Sequence, residues 1–233
     1  MLRIYLLTLI IIPFGIQAQT GMSILEKHFE SCGQEEWNQV RTITIDGKWV
    51  DDDYHAFDMK LTWKRPDKVR IEGKYEGKPY AEAYNGVVAW TIAPWRDAYE
   101  VQRMTDAEEI VVRNVFAAGS PLYEAREHLE FTGLMDMEGV LYNTFTLSEG
   151  SFKRVFYLDR DTHRLYYELI ENQFGKEKVS ILKVIDNYKN YGPMLVPTSV
   201  IFEGLEMNRE FVFDEIYLGT GANDSIFEYP EGR

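Results

Sequence analysis

Four apolar residues, Phe57, Met59, Leu61 and Trp63, alternate strictly with Asp58, Lys60, Thr62 and Lys64. Period 2 with so clean a split predicts a half-buried antiparallel strand, apolar on one face and polar on the other. The next position on the apolar phase is Arg65, immediately before Pro66. A strand that runs straight to its end delivers a guanidinium to the rim of an apolar surface. The alternative is a strand-end charge paired at the surface.

The other reactive side chains point to no reaction. His28, His55, His128 and His163 have no metal-ligand spacing. No serine lies in a Gly-x-Ser-x-Gly elbow, and no glycine loop resembles a phosphate cradle. Asp51-Asp52-Asp53 has the residue types of a Ca²⁺ site, but an acidic turn between two strands accounts for it more simply. Carboxylates paired for glycoside chemistry are invisible to sequence, because spacing does not show which are close in space. Cys32 is the only cysteine, so no internal disulfide forms. Leu25, Phe29 and Cys32 fall at i, i+4, i+7 of an expected helix, which makes Cys32 a buried small hydrophobe.

The start of the chain predicts export. Arg3 is a short positive region, Ile4–Ile12 an apolar core, Pro13 and Gly15 a break, and Ala18 a small residue at a cleavage site before Gln19. Residues 1–18 are expected to be a secretory signal peptide and 19–233 a single domain. The run is too short to span a bilayer, no later run approaches eighteen apolar residues, and no cysteine follows it to carry a lipid. With 25 Lys+Arg against 38 Asp+Glu, the net charge of −13 argues against nucleic-acid backbones and anionic membrane surfaces.

The elements that must position Arg65 are mostly strands. A helix is expected from the capping box Ser23-Ile-Leu-Glu26 to Gly33, with Gln34–Val40 adding a turn or two. About eleven strands follow, near residues 43–49, 57–64, 69–72, 79–84, 87–92, 141–147, 152–158, 165–170, 179–185, 196–202 and 211–218. Asn85-Gly86 is read as a type I′ hairpin turn. Tyr75–Lys78, Glu149-Gly150 and Phe174-Gly175 are read as further turns. One helix interrupts the meander: Thr105-Asp-Ala-Glu108 is a capping box, and Ala107, Val111, Val112, Val115 and Phe116 make an apolar stripe through about residue 117.

An eleven-strand meander that is apolar on one face must curl or be covered, and little helix is available as cover. The expected fold class is therefore α+β, mainly antiparallel β: a strongly curved, incomplete β-barrel covered by a few helices. Such a sheet either leaves an apolar cavity under its cover or packs its core completely. Composition leaves both open.

The chain resembles the LolA-like periplasmic outer-membrane lipoprotein carriers. The matching pieces are the N-terminal helix running into Ser31-Cys-Gly33, Trp63-Lys-Arg-Pro66 followed by Val69-Arg-Ile-Glu72, and Asn85-Gly86 with Trp90 and Pro94. The mid-chain helix and Asn223-Asp-Ser-Ile-Phe227 with Pro230 complete the order across most of the mature chain. The resemblance implies an apolar cavity for lipoprotein acyl chains or other lipids. It implies delivery from an inner-membrane release complex to an outer-membrane acceptor by a soluble periplasmic monomer, with no cofactor. It also implies that Arg65 hydrogen-bonds to the covering helices and holds a lid shut. Phe57, Met59, Leu61 and Trp63 are then the wall of the site, and Val111, Val112, Val115 and Phe116 the underside of the lid. The expected function is a non-enzymatic carrier. The alternative is an exported binding or sensor module with a packed core, recognising a protein or glycan.

Overall fold

The computed structural model describes residues 14–174, 177–204 and 208–230. Residues 1–13, most of the expected signal peptide, and Gly175 of the expected Phe174-Gly175 turn lie outside them. The chain opens with α1 (Phe14–Cys32) and α2 (Gln34–Trp37). Six strands follow: β1 (Thr42–Val50), β2 (Ala56–Lys64), β3 (Lys68–Tyr75), β4 (Lys78–Tyr84), β5 (Ala89–Ala93) and β6 (Ala98–Arg103). After α3 (Asp106–Asn114) come β7 (Glu130–Met137), β8 (Val140–Glu149), β9 (Phe152–Asp159), β10 (Leu165–Phe174), β11 (Glu177–Tyr191), β12 (Met194–Glu203) and β13 (Arg209–Leu218).

All thirteen strands form one sheet in the order β6-β5-β4-β3-β2-β1-β13-β12-β11-β10-β9-β8-β7, and every neighbouring pair is antiparallel. The sheet is a meander closed through its termini, where β1 pairs with β13. Its open edges, β6 and β7, fall in the middle of the sequence, and the chain between them carries α3. Curvature enters where the ladder slips. Between Asp46 and Gly47 the register of β1 on β13 shifts, and a Cβ on Gly47 would sit 2.1 Å from the Val212 carbonyl oxygen. Only glycine permits that approach.

Several expectations are corrected. The described residues form thirteen strands rather than eleven, and the two unanticipated ones, β6 and β7, are the two edges. Tyr99 on β6 and Leu134 and Met135 on β7 are exposed, so neither strand has a fully covered face to impose alternation. The Ser23–Glu26 capping box is not used, because α1 is already helical from Phe14. The Asn85-Gly86 hairpin exists but its turn is not type I′. Gly86 has φ +99° while Asn85 is not left-handed, and the Asn85 side chain instead accepts the amides of Val87 and Val88. That longer loop delays β5 to Ala89. Two-residue turns with both φ positive are Glu76-Gly77, at +48° and +80°, and Glu138-Gly139, at +55° and +86°. The helix expected to about residue 117 ends at Asn114, although its Thr105–Glu108 capping box is formed.

One face of the sheet carries the core. Ile43, Ile45, Leu61, Ile71, Phe145, Phe156, Ile181, Val200, Phe211 and residues from α3 belong to one buried cluster. On the convex side the C-terminal segment seals β3–β5: Trp90 donates its indole hydrogen to the Phe227 carbonyl, and Arg70 donates to that of Ile226. The Asn223–Phe227 motif therefore staples the outside of the sheet and takes no part in the concave face.

Candidate functional site

The concave face is built by register. Cross-strand pairing places Ile45 beside Leu61, Leu61 beside Ile71, and Ile71 beside Glu82. Met59, Leu61 and Trp63 are buried on this face as the alternation of β2 requires, while Phe57 at its start is half-buried. From above, Val111, Val112, Val115 and Phe116 descend into the same cluster. The capped first turn of α3 is tied to the 3-10 turn Pro94–Arg96 by the Arg96–Glu108 ion pair, and the helix packs on β3 and β4. Val115 and Phe116 follow its last turn. The Phe116 ring lies 6.2 Å from that of Trp37 and 5.9 Å from that of Phe213. Phe116 thus wedges between α2 and β13.

Arg65 stands apart from this wall, at its rim. Its Nε donates to the Val40 carbonyl at 3.1 Å and its Nη2 to the Trp37 carbonyl at 3.0 Å. Trp37 ends α2, so the guanidinium caps the carbonyl end of a covering helix. The charge also lies 5.4 Å from the Trp63 ring centre. Arg65 therefore binds α2 and the link that leads from it to β1, and α3 is held by other residues.

Those residues were legible by the rule that singled out Arg65. Lys183 shares its phase with the buried Ile181 and Ile185, and Arg209 with Phe211 and Phe213. Glu82 lies between Tyr80 and Tyr84 on the same phase. Lys183 Nζ donates to the carbonyl of Asn114, the last residue of α3, at 2.5 Å. Cross-strand from it is the buried Glu168, which Arg154 also pairs. Burial lowers the Lys183 ammonium to about 8 against the upward pull of Glu168. Glu168 was hidden because a register shift between Leu165 and Tyr167 breaks the parity of β10.

A third tie involves His28 of α1. Its Nδ1 lies 2.7 Å from the His163 carbonyl oxygen and its Nε2 2.7 Å from the Ser120 hydroxyl. A neutral ring with its proton on Nδ1 satisfies both, donating to the carbonyl and accepting from the hydroxyl. Burial lowers the imidazole to about 4. Ser120 also accepts the Leu122 amide hydrogen and donates its own amide to Gln34. The segment after α3 is thus tied to α1 and α2. No sequence spacing links these residues.

The space beneath this cover is small. Among the described residues, the partly open space between His28, Cys32, Phe116, Lys183 and Tyr188 measures about 50 Å³, against roughly 300 Å³ for the smallest ligand pockets. Cys32 lines it, and burial pushes its thiol up to about 12, which keeps it protonated and inert. Asp51 accepts the amides of Asp53 and His55, and Asp52 accepts that of Asn208. The acidic run is a turn that satisfies its own loop.

No family model matches the chain, and no curated protein matches it. Solved structures do. A LolA superfamily protein from Nitrosomonas europaea aligns over 89% of this chain and 97% of its own at 15% identity, with a TM-score of 0.58. A domain from Vibrio parahaemolyticus described as an outer-membrane lipoprotein-sorting protein covers 90% and 97% at 14% identity, TM-score 0.55. A DUF1329 family protein from Desulfovibrio piger covers 91% and 98% at 10% identity, TM-score 0.57. Identities this low speak for the fold alone. The open meander, the pairing of its first and last strands and the helices across its concave face are a LolA-like fold.

Proposed function

We propose that the chain is an exported, non-enzymatic carrier that shelters the acyl chains of lipoproteins or other lipids against its concave face and takes them toward the outer membrane. The observation that carries this reading is how the face is closed. Its edges β6 and β7 do not pair with each other. Instead α3 and the segment behind it cover the apolar wall. A strand-closed barrel opens only by breaking a ladder, whereas a helix held by a few side chains can lift off.

Each buried CH₂ is worth about 0.8 kcal/mol, so a sixteen-carbon chain gains on the order of 10 kcal/mol from such shelter. Without cargo the same wall must stay hidden, because large exposed apolar patches aggregate. Val111, Val112, Val115 and Phe116 hide it. Arg65 holds α2, Lys183 holds the end of α3, and His28 holds the segment that follows. The description of the Vibrio neighbour as a lipoprotein-sorting protein supports the choice of cargo.

In this reading residues 1–18 are removed on export and 19–233 work as one soluble periplasmic domain and a monomer, without cofactor. It receives cargo from an inner-membrane release complex and yields it to an outer-membrane acceptor. Among the described residues no helix is long and apolar enough to cross a membrane.

A second reading, an exported binding module with a permanently packed core, draws support from the small size of the space beneath the segment that follows α3. Native mass spectrometry of the protein from its own periplasm separates the two. A carrier brings acyl species with it. Ligand-free protein that also ignores a fluorescent fatty acid rules the carrier out.

A further inference from the structure

The concave face is not apolar throughout. Glu82 on β4 and Arg209 on β13 reach across it past β3, β2 and β1 and pair in a two-pronged contact, Nη1 to Oε1 at 2.8 Å and Nη2 to Oε2 at 2.6 Å. Both residues are buried. The guanidinium carbon lies 4.9 Å from the ring centres of Trp49 and Phe211 and 5.7 Å from that of Trp95.

Around this pair sit four buried polar atoms without a partner among the described residues: Arg209 Nε, Trp49 Nε1, the Tyr80 hydroxyl and the Thr91 hydroxyl. Their residues are 5, 0, 2 and 0% exposed. They form one neighbourhood. Thr91 pairs with Glu82 across the ladder, and the Trp49 ring lies 5.8 Å from that of Tyr80. All four atoms carry a hydrogen to donate, while both Glu82 oxygens are already engaged. An unpaired buried donor is costly, and phenylalanine or valine would fill the Tyr80 and Thr91 positions without that cost. What the cluster lacks is an acceptor placed within reach of these four hydrogens.

It lies on the Phe57 side of the wall: Trp49 pairs with Phe57, while Glu82 and Thr91 stand level with Leu61 in the ladder. Phe57 near the start of β2 and Arg65 just past its end lie about 26 Å apart for eight strand steps. Phe57 packs on Trp49 with ring centres 5.4 Å apart. Trp95, carried on the short 3-10 turn, lies 4.8 Å from Trp49 and is only half-buried. It plugs the cluster from the solvent side.

We propose that this cluster binds the oxygenated head of an acyl ligand, a carboxylate or an acyl carbonyl, when Trp95 gives way, with the chain lying along the wall toward Arg65. The proposal rests on the carrier reading and adds a polar end to its site.

The test uses full-length protein carrying Tyr80→Phe and Thr91→Val, each of which removes only a hydroxyl or exchanges it for a methyl. Three polyene probes are titrated: cis-parinaric acid, its methyl ester, and the hydrocarbon diphenylhexatriene. The expected result is an unchanged or raised melting temperature and unchanged diphenylhexatriene binding. Parinaric acid should bind at least about 5-fold more weakly, as for two lost hydrogen bonds. Equal weakening of the ester assigns the contact to a neutral carbonyl, and weakening of the acid alone to a carboxylate. Wild-type affinity for both oxygenated probes overturns the head-group site, as does equal weakening of all three. A wild-type protein that binds none of the probes overturns the carrier reading itself. If the double variant does not fold, the two single variants decide by the same comparison.

Discussion

Lys183 and Asn114 join the sheet to the end of α3: the ammonium donates to the last helical carbonyl at 2.5 Å. The same side chain sits beside Glu168, itself held by Arg154. Helix carbonyls at a C-terminus attract cations, and here the cation belongs to another element. The contact is therefore a tertiary latch as well as a cap.

Replacing Lys183 with methionine keeps the volume and removes the donor, while Arg154 still pairs Glu168. A loss of about 1–3 kcal/mol in stability is expected. Amide hydrogens of α3 should exchange faster than those of β1 and β13. Equal acceleration in both places would show that Lys183 supports the sheet at large and not the helix.

Arg65→Leu removes both donors to the Trp37 and Val40 carbonyls. An exposed, frayed α2 and greater uptake of a fluorescent fatty acid should follow, or slower release of bound lipid. Unchanged uptake and release would remove Arg65 from any role in opening.

His28 makes stability depend on pH. Burial holds its folded-state value at about 4 against 6.5 for a free imidazole. Between those values the unfolded chain binds more protons, so stability rises with pH across the window and is lost on acidification from about 6.5 to about 4. The loss is on the order of 3 kcal/mol. Urea melts of the wild type and of His28→Gln at pH 7 and 4.5 measure it. The variant should lose less between the two, and parallel losses would place the acid sensitivity elsewhere.

Cys32 should ignore thiol reagents while the protein is folded, because burial holds its thiol at about 12. Reaction with dithionitrobenzoate is expected only at the rate of opening. Arg65→Leu, by loosening α2 beside it, should speed that reaction. Rapid labelling of the native wild type would contradict the packing of α1 described above.

Local chemistry in the sequence set a good deal of this molecule. The alternation of Phe57 to Trp63 placed Met59, Leu61 and Trp63 on the concave face, and the Thr105–Glu108 box started α3, because both depend on residues within a few positions of one another. The same phase rule applied to Lys183, Arg209 and Glu82 finds charges on an apolar face, which went unnoticed in the sequence, and it does not pair them. Glu82 meets Arg209 only because the sheet bends β4 toward β13, and Lys183 meets Asn114 only because the end of α3 reaches β11. The edge strands β6 and β7 escaped notice because an uncovered face imposes no alternation. How much space lies between the wall and its cover is likewise a matter of three dimensions. Phe116 reaches Trp37 and Phe213 from a segment far from both in the chain, and its fit there sets how much space remains. Periodicity reports which side of an element is apolar. What comes to lie against that side depends on contacts between distant segments, and those are fixed only when the sheet curls and the helices settle on it.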